Sequence, residues 1–524
     1  MGRVWFNDFD HISTDFEDLT ILYPNVTNAY FAKKVVNRSS VPSADGVSSE
    51  EQLSVTLEEV DSLVLGREVY IVLEIEDYYL SAGVNFNLSV ITIDENLTGT
   101  ADEALDLLQS GTERSVFTSQ IGNTDALNPL EGDNPYGNLQ DYDNCLIFKV
   151  SIRPESRDTF DTWAENISNA TNAPSLKLQL QSEDESTFMM KEGDYGTINT
   201  VLQFPSITPP LEETGLAIIE NKLVYEIYHP DNVFNALDGN YSITRGDDTT
   251  ENIDKRIGRI ENDSSEEAIY FYHDQDDNEY EICTAGLSNV RRRANGVRYQ
   301  TQQLNPQTGQ MQMMPSATPP PGFISQEDAT GGDADTNYHY TNGRIATTGN
   351  YNARYYDYAS NDENDLIPLV RMPDSLNFSE NSITISYEFY DSQRRFCNPG
   401  CFAAFIGILA ETGFTSVEST GMCFGDATSY PSVTHPNGDS IDTRYLGTTN
   451  TRGLTLTALL NNYDSDSEEE FATAFVEWGF TEVLAGSNPL FNGLEDIVHR
   501  RNGSHNNHLH AGNFPDNRID NLNE

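Results

Sequence analysis

Apolar and polar positions alternate with a period of two along much of the first 210 residues. Val69, Ile71, Leu73 and Ile75 alternate with Tyr70, Glu74 and Glu76, which predicts a strand buried on one face. Residues 86–93 repeat the pattern after a turn placed at Gly83, and residues 145–150 and 176–180 add two further strands. Gly, Asn and Pro punctuate them, so residues 1–210 predict an all-β, sandwich-like unit for binding or assembly, with one helix near residues 159–166. Within this boundary region, the consecutive prolines of residues 204–211 cannot continue a sheet ladder and read as a linker. Residues 211–300 predict a second small β-rich domain, including a hairpin with arms at residues 269–272 and 280–282. Residues 301–335, rich in Gln, Pro, Gly and Asp, predict a linker, and residues 336–395 a β-rich connecting segment.

From residue 396 the period changes. Phe402, Phe405, Ile406 and Leu409 are spaced i, i+3, i+4, i+7, an amphipathic helix that Gly413 would end. Residues 415–419 read as a strand. Ser467 and Glu470 have capping-box spacing ahead of a helix whose apolar face is Phe471, Phe475 and Trp478. Residues 480–484 and 507–514 return as strands. Residues 396–524 therefore predict a small α+β domain at the end of a multidomain chain that is all-β before it.

Composition removes several functional classes. The 524 residues suffice for several packed domains, and 83 acidic against 30 basic side chains give a net charge of -53. Such a surface repels phosphate backbones and anionic lipid, so no nucleic-acid partner is expected, and the acidity reads as a solvated coat. Residues 274–279 carry spaced oxygen ligands but lack the Gly and terminal Glu of an EF-hand loop, and read as the hairpin's turn. No run reaches the roughly 18 apolar residues of a membrane span. No signal-peptide core follows Met1, so the expectation is synthesis in the cytoplasm and action at the cell envelope or outside it after delivery or lysis. Five cysteines include Cys397 and Cys401 but no second pair to complete a cysteine-ligated zinc site; a small disulfide and free thiols both stay open. Arg291, Arg292 and Arg293 form a basic cluster that reads as an internal salt-bridge partner.

Histidine placement adds chemistry. Of nine histidines, His499, His505, His508 and His510 fall in the final 26 residues. Upstream, His435 precedes Asp442 by seven residues across an Asn-Gly step, which permits a tight turn. Such a turn can bring an imidazole before it and a carboxylate after it to one ion. On a strand, His508 and His510 project from the same face. Two histidines and a carboxylate with an open position for water is a recurrent catalytic zinc arrangement. The blander alternatives are a surface strand carrying His508 and His510, an Asp442–Arg444 ion pair, and a loop position for His505. His499, beside Arg500 and Arg501, reads as a solvated helix-end cation, and His273 and His339 as structural.

The string Thr434-His-Pro-Asn-Gly-Asp-Ser-Ile-Asp442, followed by Asn507-His-Leu-His510, resembles the zinc peptidase group of lysostaphin, D-Ala-D-Ala carboxypeptidases and murein endopeptidases. The resemblance covers roughly residues 396–515. It implies that His435, Asp442 and His510 hold Zn2+, and that His508 supports the oxyanion or moves a proton. His505 stands where penicillin-insensitive murein endopeptidases carry another active-site His, and Trp478-Gly-Phe480 resembles the group's helix-to-strand turn. The carboxypeptidase branch places a Glu base where this chain has Asn507, and an Arg upstream of the first His; none lies between Phe396 and His435. The implied activity is a zinc-dependent peptidoglycan peptidase cutting inside peptide cross-links. The alternative is a structural component or cargo of a phage-tail-like contractile injection machine, with tube, spike or baseplate proteins as partners and an accessory or inactive peptidase domain.

Overall fold

A computed structural model of the chain describes residues 25–42, 49–76, 85–128, 135–182, 216–235, 237–300, 302–304, 307–308, 311–313, 323–328, 336–340, 345–349, 352–390, 392–429 and 432–523. The chain is mostly β-sheet, arranged in several sheets. The turn expected at Gly83 and the linker expected at residues 204–211 lie outside the described residues.

Two sheets form the N-terminal part. The first runs Ser49–Val60, Asn25–Pro42, Glu68–Glu76, Cys145–Ser151, Leu107–Gln109, Thr112–Arg114. The second runs Ser62–Val64, Leu216–Glu220, Ser175–Ser182, Asn85–Thr92, Phe117–Gln120. Alternate residues of both, including Ile71, Leu73, Phe86, Leu88 and Phe148, share one core with Phe160 and Trp163 of helix α1 (Arg157–Asn169). The strand Glu68–Glu76 is buried on both faces rather than one. Its Val69, Ile71, Leu73 and Ile75 enter that core, while Tyr70 and Val72 enter a second cluster with Val36, Val55, Leu127 and Tyr136. The sheet's outer face is therefore covered, and alternation in the sequence understates the burial.

A third sheet of seven strands follows the order Phe396–Cys397, Leu366–Arg371, Glu279–Arg291, Glu267–His273, Leu223–Tyr228, Ile257–Ile260, Ile519–Asn521. Its hairpin turns at residues 274–278, where Asp274 accepts the backbone N–H groups of Asp276 and Asn278 and the Tyr280 hydroxyl. That carboxylate organises the turn. Of the arginine cluster, Arg292 pairs with Asp365, and Arg291 donates to Ser360 and Asp362 carbonyls. Within residues 301–335 the described stretches include the short strands Gln302–Leu304, Met311–Met313 and Phe323–Asp328.

A fourth sheet, also of seven strands, runs Ser375–Glu380, Ile383–Phe389, Val417–Gly421, Ile441–Thr443, Leu509–Gly512, Glu482–Gly486, Arg500–Asn502. Helix α2 (Pro399–Thr412) ends at Gly413, which adopts φ 63. The helix is not amphipathic in place. Every residue from Pro399 to Leu409 is buried, because it packs against the third sheet on one side and against the fourth sheet and helix α4 (Ser465–Glu477) on the other. The expected Ser467–Glu470 cap is displaced by Asp464, whose carboxylate accepts the N–H groups of Asp466 and Ser467 and the Ser467 hydroxyl. Helix α3 (Leu456–Asn461) precedes it. All five cysteines are free thiols.

A candidate metal centre

The turn at Pro436–Gly438 is built by two left-handed residues, Asn437 (φ 72) and Gly438 (φ 71). Asn tolerates that conformation and Gly adopts it freely, and a Cβ on Gly438 would come within 2.7 Å of the Asn398 nitrogen. The Asn437 amide pins the turn from outside: it accepts Arg293 N–H at 2.8 Å and donates to Arg293 C=O at 2.8 Å. The chain then enters the strand Ile441–Thr443, antiparallel to Leu509–Gly512, with Asp442 directly opposite His510. Cross-strand partners on one face touch, so the pairing register itself brings carboxylate and imidazole together.

Three donor atoms converge. His510 Nδ1 lies 2.9 Å from Asp442 Oδ1 and 2.9 Å from His435 Nε2, and His435 Nε2 lies 3.1 Å from Asp442 Oδ1. All three residues are buried. A tetrahedral ion with bonds of 2.0–2.1 Å would separate its ligands by roughly 3.3 Å, so the spacing suits a small cation. Together the three side chains could hold a metal ion. Burial lowers the His435 pKa to about 4, which keeps its lone pair free. Burial opposes ionisation of Asp442, yet the neighbouring His435 and His508 imidazoles hold it well below the usual carboxylate range. Neutral imidazole and ionised carboxylate are the ligand forms.

Around the cluster, Arg394 places its guanidinium 3.5 Å from Asp442 Oδ2 and donates to the carbonyls of Thr420 and Met422. It reaches there because Gly421, at φ 111, has no Cβ to collide with the Arg394 backbone. Arg394 lies two residues before Phe396, upstream of the stretch to His435 that holds no arginine, and no periodicity marks it. Arg444 does not pair with Asp442; it is bound to Glu418.

His508 and His505 flank the cluster. His508 Nε2 lies 3.6 Å from Asp442 Oδ1, and its Nδ1 meets Asn507 Oδ1 at 2.8 Å. The His505 ring sits 4.9 Å from that of His508 and 5.6 Å from that of His510. Burial lowers both pKa values, that of His505 to about 4, so both rings are neutral at pH 7. His499 does not stand in solvent at a helix end: its Nδ1 accepts the Val483 N–H, which ties it to the sheet. The side chain of His339 lies outside the described residues.

A second convergent group, Glu226, His273 and Glu279, lies where the third sheet meets the first. Its cation is the protein's own. Arg67 donates to Glu226 at 2.7 Å and to Glu279 at 3.1 Å, and stacks over Phe271. His273 bridges Glu226 at 2.8 Å and Asp277 at 3.5 Å, and Lys34 closes the chain on Asp277 at 3.1 Å.

Glu468 of α4 anchors the segment after Asp442. Its Oε2 accepts the Leu446 N–H, while Oε1 is buried without a partner. Burial raises its pKa from 4.5 to about 8. The folded state thus binds this proton more tightly than the unfolded state, a contribution fully present below pH 4.5 and lost as pH rises through 8. Glu468→Gln should therefore gain stability relative to the parent across that window, by up to on the order of 5 kcal/mol at pH 8. Urea midpoints measured from pH 5 to 8 check this; parallel curves for the two chains would refute it.

No protein-family model matches the chain, and no curated protein or solved structure is detectably similar to it.

Proposed function

We propose that this chain is a zinc-dependent peptidase of the lysostaphin and murein endopeptidase type, cutting peptide cross-links of peptidoglycan. The observation that carries the proposal is the convergence of His435 Nε2, Asp442 Oδ1 and His510 Nδ1 beside two further imidazoles. A purely structural ion site has no need of His505 and His508. The chemistry zinc supplies when bound is Lewis acidity, which acidifies water and polarises a peptide carbonyl.

The chain's own groups do the rest. With Nδ1–H donated to Asn507, neutral His508 keeps its Nε2 lone pair to take a proton from the attacking water. Once protonated, the same nitrogen supports the developing oxyanion. Arg394 holds the outer oxygen of Asp442, leaving Oδ1 for the ion. Its guanidinium is committed to that oxygen and two carbonyls, so it offers no open anchor for a terminal carboxylate. Cleavage within the peptide accords with this.

The test is to incubate the zinc-loaded full chain with purified murein sacculi and identify released peptides by mass spectrometry. Release of fragments with new internal termini is the expected result. A chain carrying one zinc that releases none would overturn the proposal.

A further inference from the structure

The loop that carries His505 is fastened from two sides, and neither fastening belongs to the ligand set. Asn502 ends the edge strand Arg500–Asn502, where it pairs with Gly486. Its Oδ1 accepts the backbone N–H of Ser504 at 3.0 Å and meets His505 Nδ1 at 2.8 Å. A backbone N–H can only donate, so the Asn502 atom in that place is the carbonyl oxygen and not the amide nitrogen. An oxygen that is only an acceptor requires a hydrogen on His505 Nδ1, and the Ser504 hydroxyl, 3.3 Å from the same nitrogen, already donates its own hydrogen to Asn502 Oδ1. The neutral ring therefore carries its proton on Nδ1 and its lone pair on Nε2. Among the described residues Nε2 takes no hydrogen bond.

From the other side, the Tyr445 hydroxyl donates to the His505 carbonyl at 2.7 Å and accepts the Gly486 N–H at 2.8 Å. Tyr445 is buried, stacked on Phe491 at 4.0 Å, and stands three residues beyond Asp442. The strand of the carboxylate ligand and the loop of the flanking imidazole are thus joined through one phenol.

We infer that Asn502 is a positioning residue that selects the Nδ1–H tautomer of His505 and so presents Nε2 as a proton acceptor beside the donor cluster, with Tyr445 setting the height of the loop. This rests on the peptidase reading for its purpose, but the tautomer can be read without turnover. In the zinc-loaded full chain with 15N-labelled histidine, long-range proton–nitrogen correlation should show His505 protonated at Nδ1. Asn502→Asp, which keeps the acceptor, should preserve that signature. Asn502→Ala should lose it and lower kcat on sacculi by roughly 10- to 100-fold, the range typical of outer-shell partners, with KM little changed. Tyr445→Phe, which keeps the stacked ring, should lower kcat without altering the tautomer. An Nε2–H signature for His505 in the parent chain, or one unmoved by Asn502→Ala, overturns the inference. The expected tautomer in a zinc-bearing chain that cleaves nothing upholds the assignment of the proton and overturns the peptidase reading instead.

Discussion

The chain in which His435 and His510 are both replaced by alanine should fold and yet retain no zinc after dialysis, where the parent retains one per molecule. Both imidazole nitrogens lie within 3.1 Å of Asp442 Oδ1, so their removal leaves one carboxylate, too little to hold the ion. Elemental analysis by inductively coupled plasma reads the outcome directly, and zinc retained at full stoichiometry would refute the site. Arg394→Gln supplies the intermediate case. It removes the charge 3.5 Å from Asp442 Oδ2 without touching a ligand, and should weaken zinc binding by roughly 10- to 100-fold. Peptide release should fall further in the double variant than in Arg394→Gln.

Arg67→Met should be strongly destabilising. It leaves Glu226 and Glu279 facing each other at the junction of the first and third sheets with no guanidinium between them. Breaking a buried pair from one side costs about 3–5 kcal/mol, which thermal or urea unfolding resolves easily. The pH dependence follows from the neighbours. Burial opposes the charge on Glu226, but Arg67 and His273 lower its pKa to about 2. Its contribution is present above pH 4.5 and lost as pH falls through 2. Burial likewise opposes the charge on His273, but Asp277 and Glu226 raise it to about 10. That contribution is full below pH 6.5 and lost as pH rises through 10. Arg67→Met should shrink the acid-side part of this plateau. Adding Glu226→Gln and Glu279→Gln should restore much of the lost stability.

Local patterns in the sequence reported local facts well. The spacing of Val69 to Ile75, the helix terminated by Gly413 and the hairpin around residues 274–278 each follow from periodicity and turn chemistry over a few residues. The approach of His435, Asp442 and His510 was also legible, because an Asn-Gly turn and a strand register are short-range devices. What stayed hidden depends on partners distant in the chain. Burial of both faces of Glu68–Glu76 needs the segment around Leu127 and Tyr136, and Arg394 reaches Asp442 only through the glycine bulge at Gly421. Arg67 finds Glu226 and Glu279 across more than 150 positions, a distance no window scans. The Asp464 cap is obscured for a smaller reason: a Ser-x-x-Glu pattern begins three residues later, at Ser467, with the same capping spacing.

The seating of α2 bears on how the molecule comes apart. Residues from both seven-stranded sheets, from Leu223 to Ile519, contribute to one continuous cluster around this helix, and the indole of Trp478 lies against Gly407 with no room for a methyl group. The last strand, Ile519–Asn521, crosses back to pair with Ile257–Ile260. Melting either sheet would bare the helix to water, so the two should unfold in one cooperative step. A truncation that begins at residue 396 would strip the edge strand Ser375–Glu380 and its neighbour Ile383–Phe389 from the sheet that carries Asp442 and His510. Calorimetry on the intact chain should accordingly register these two sheets as a single transition.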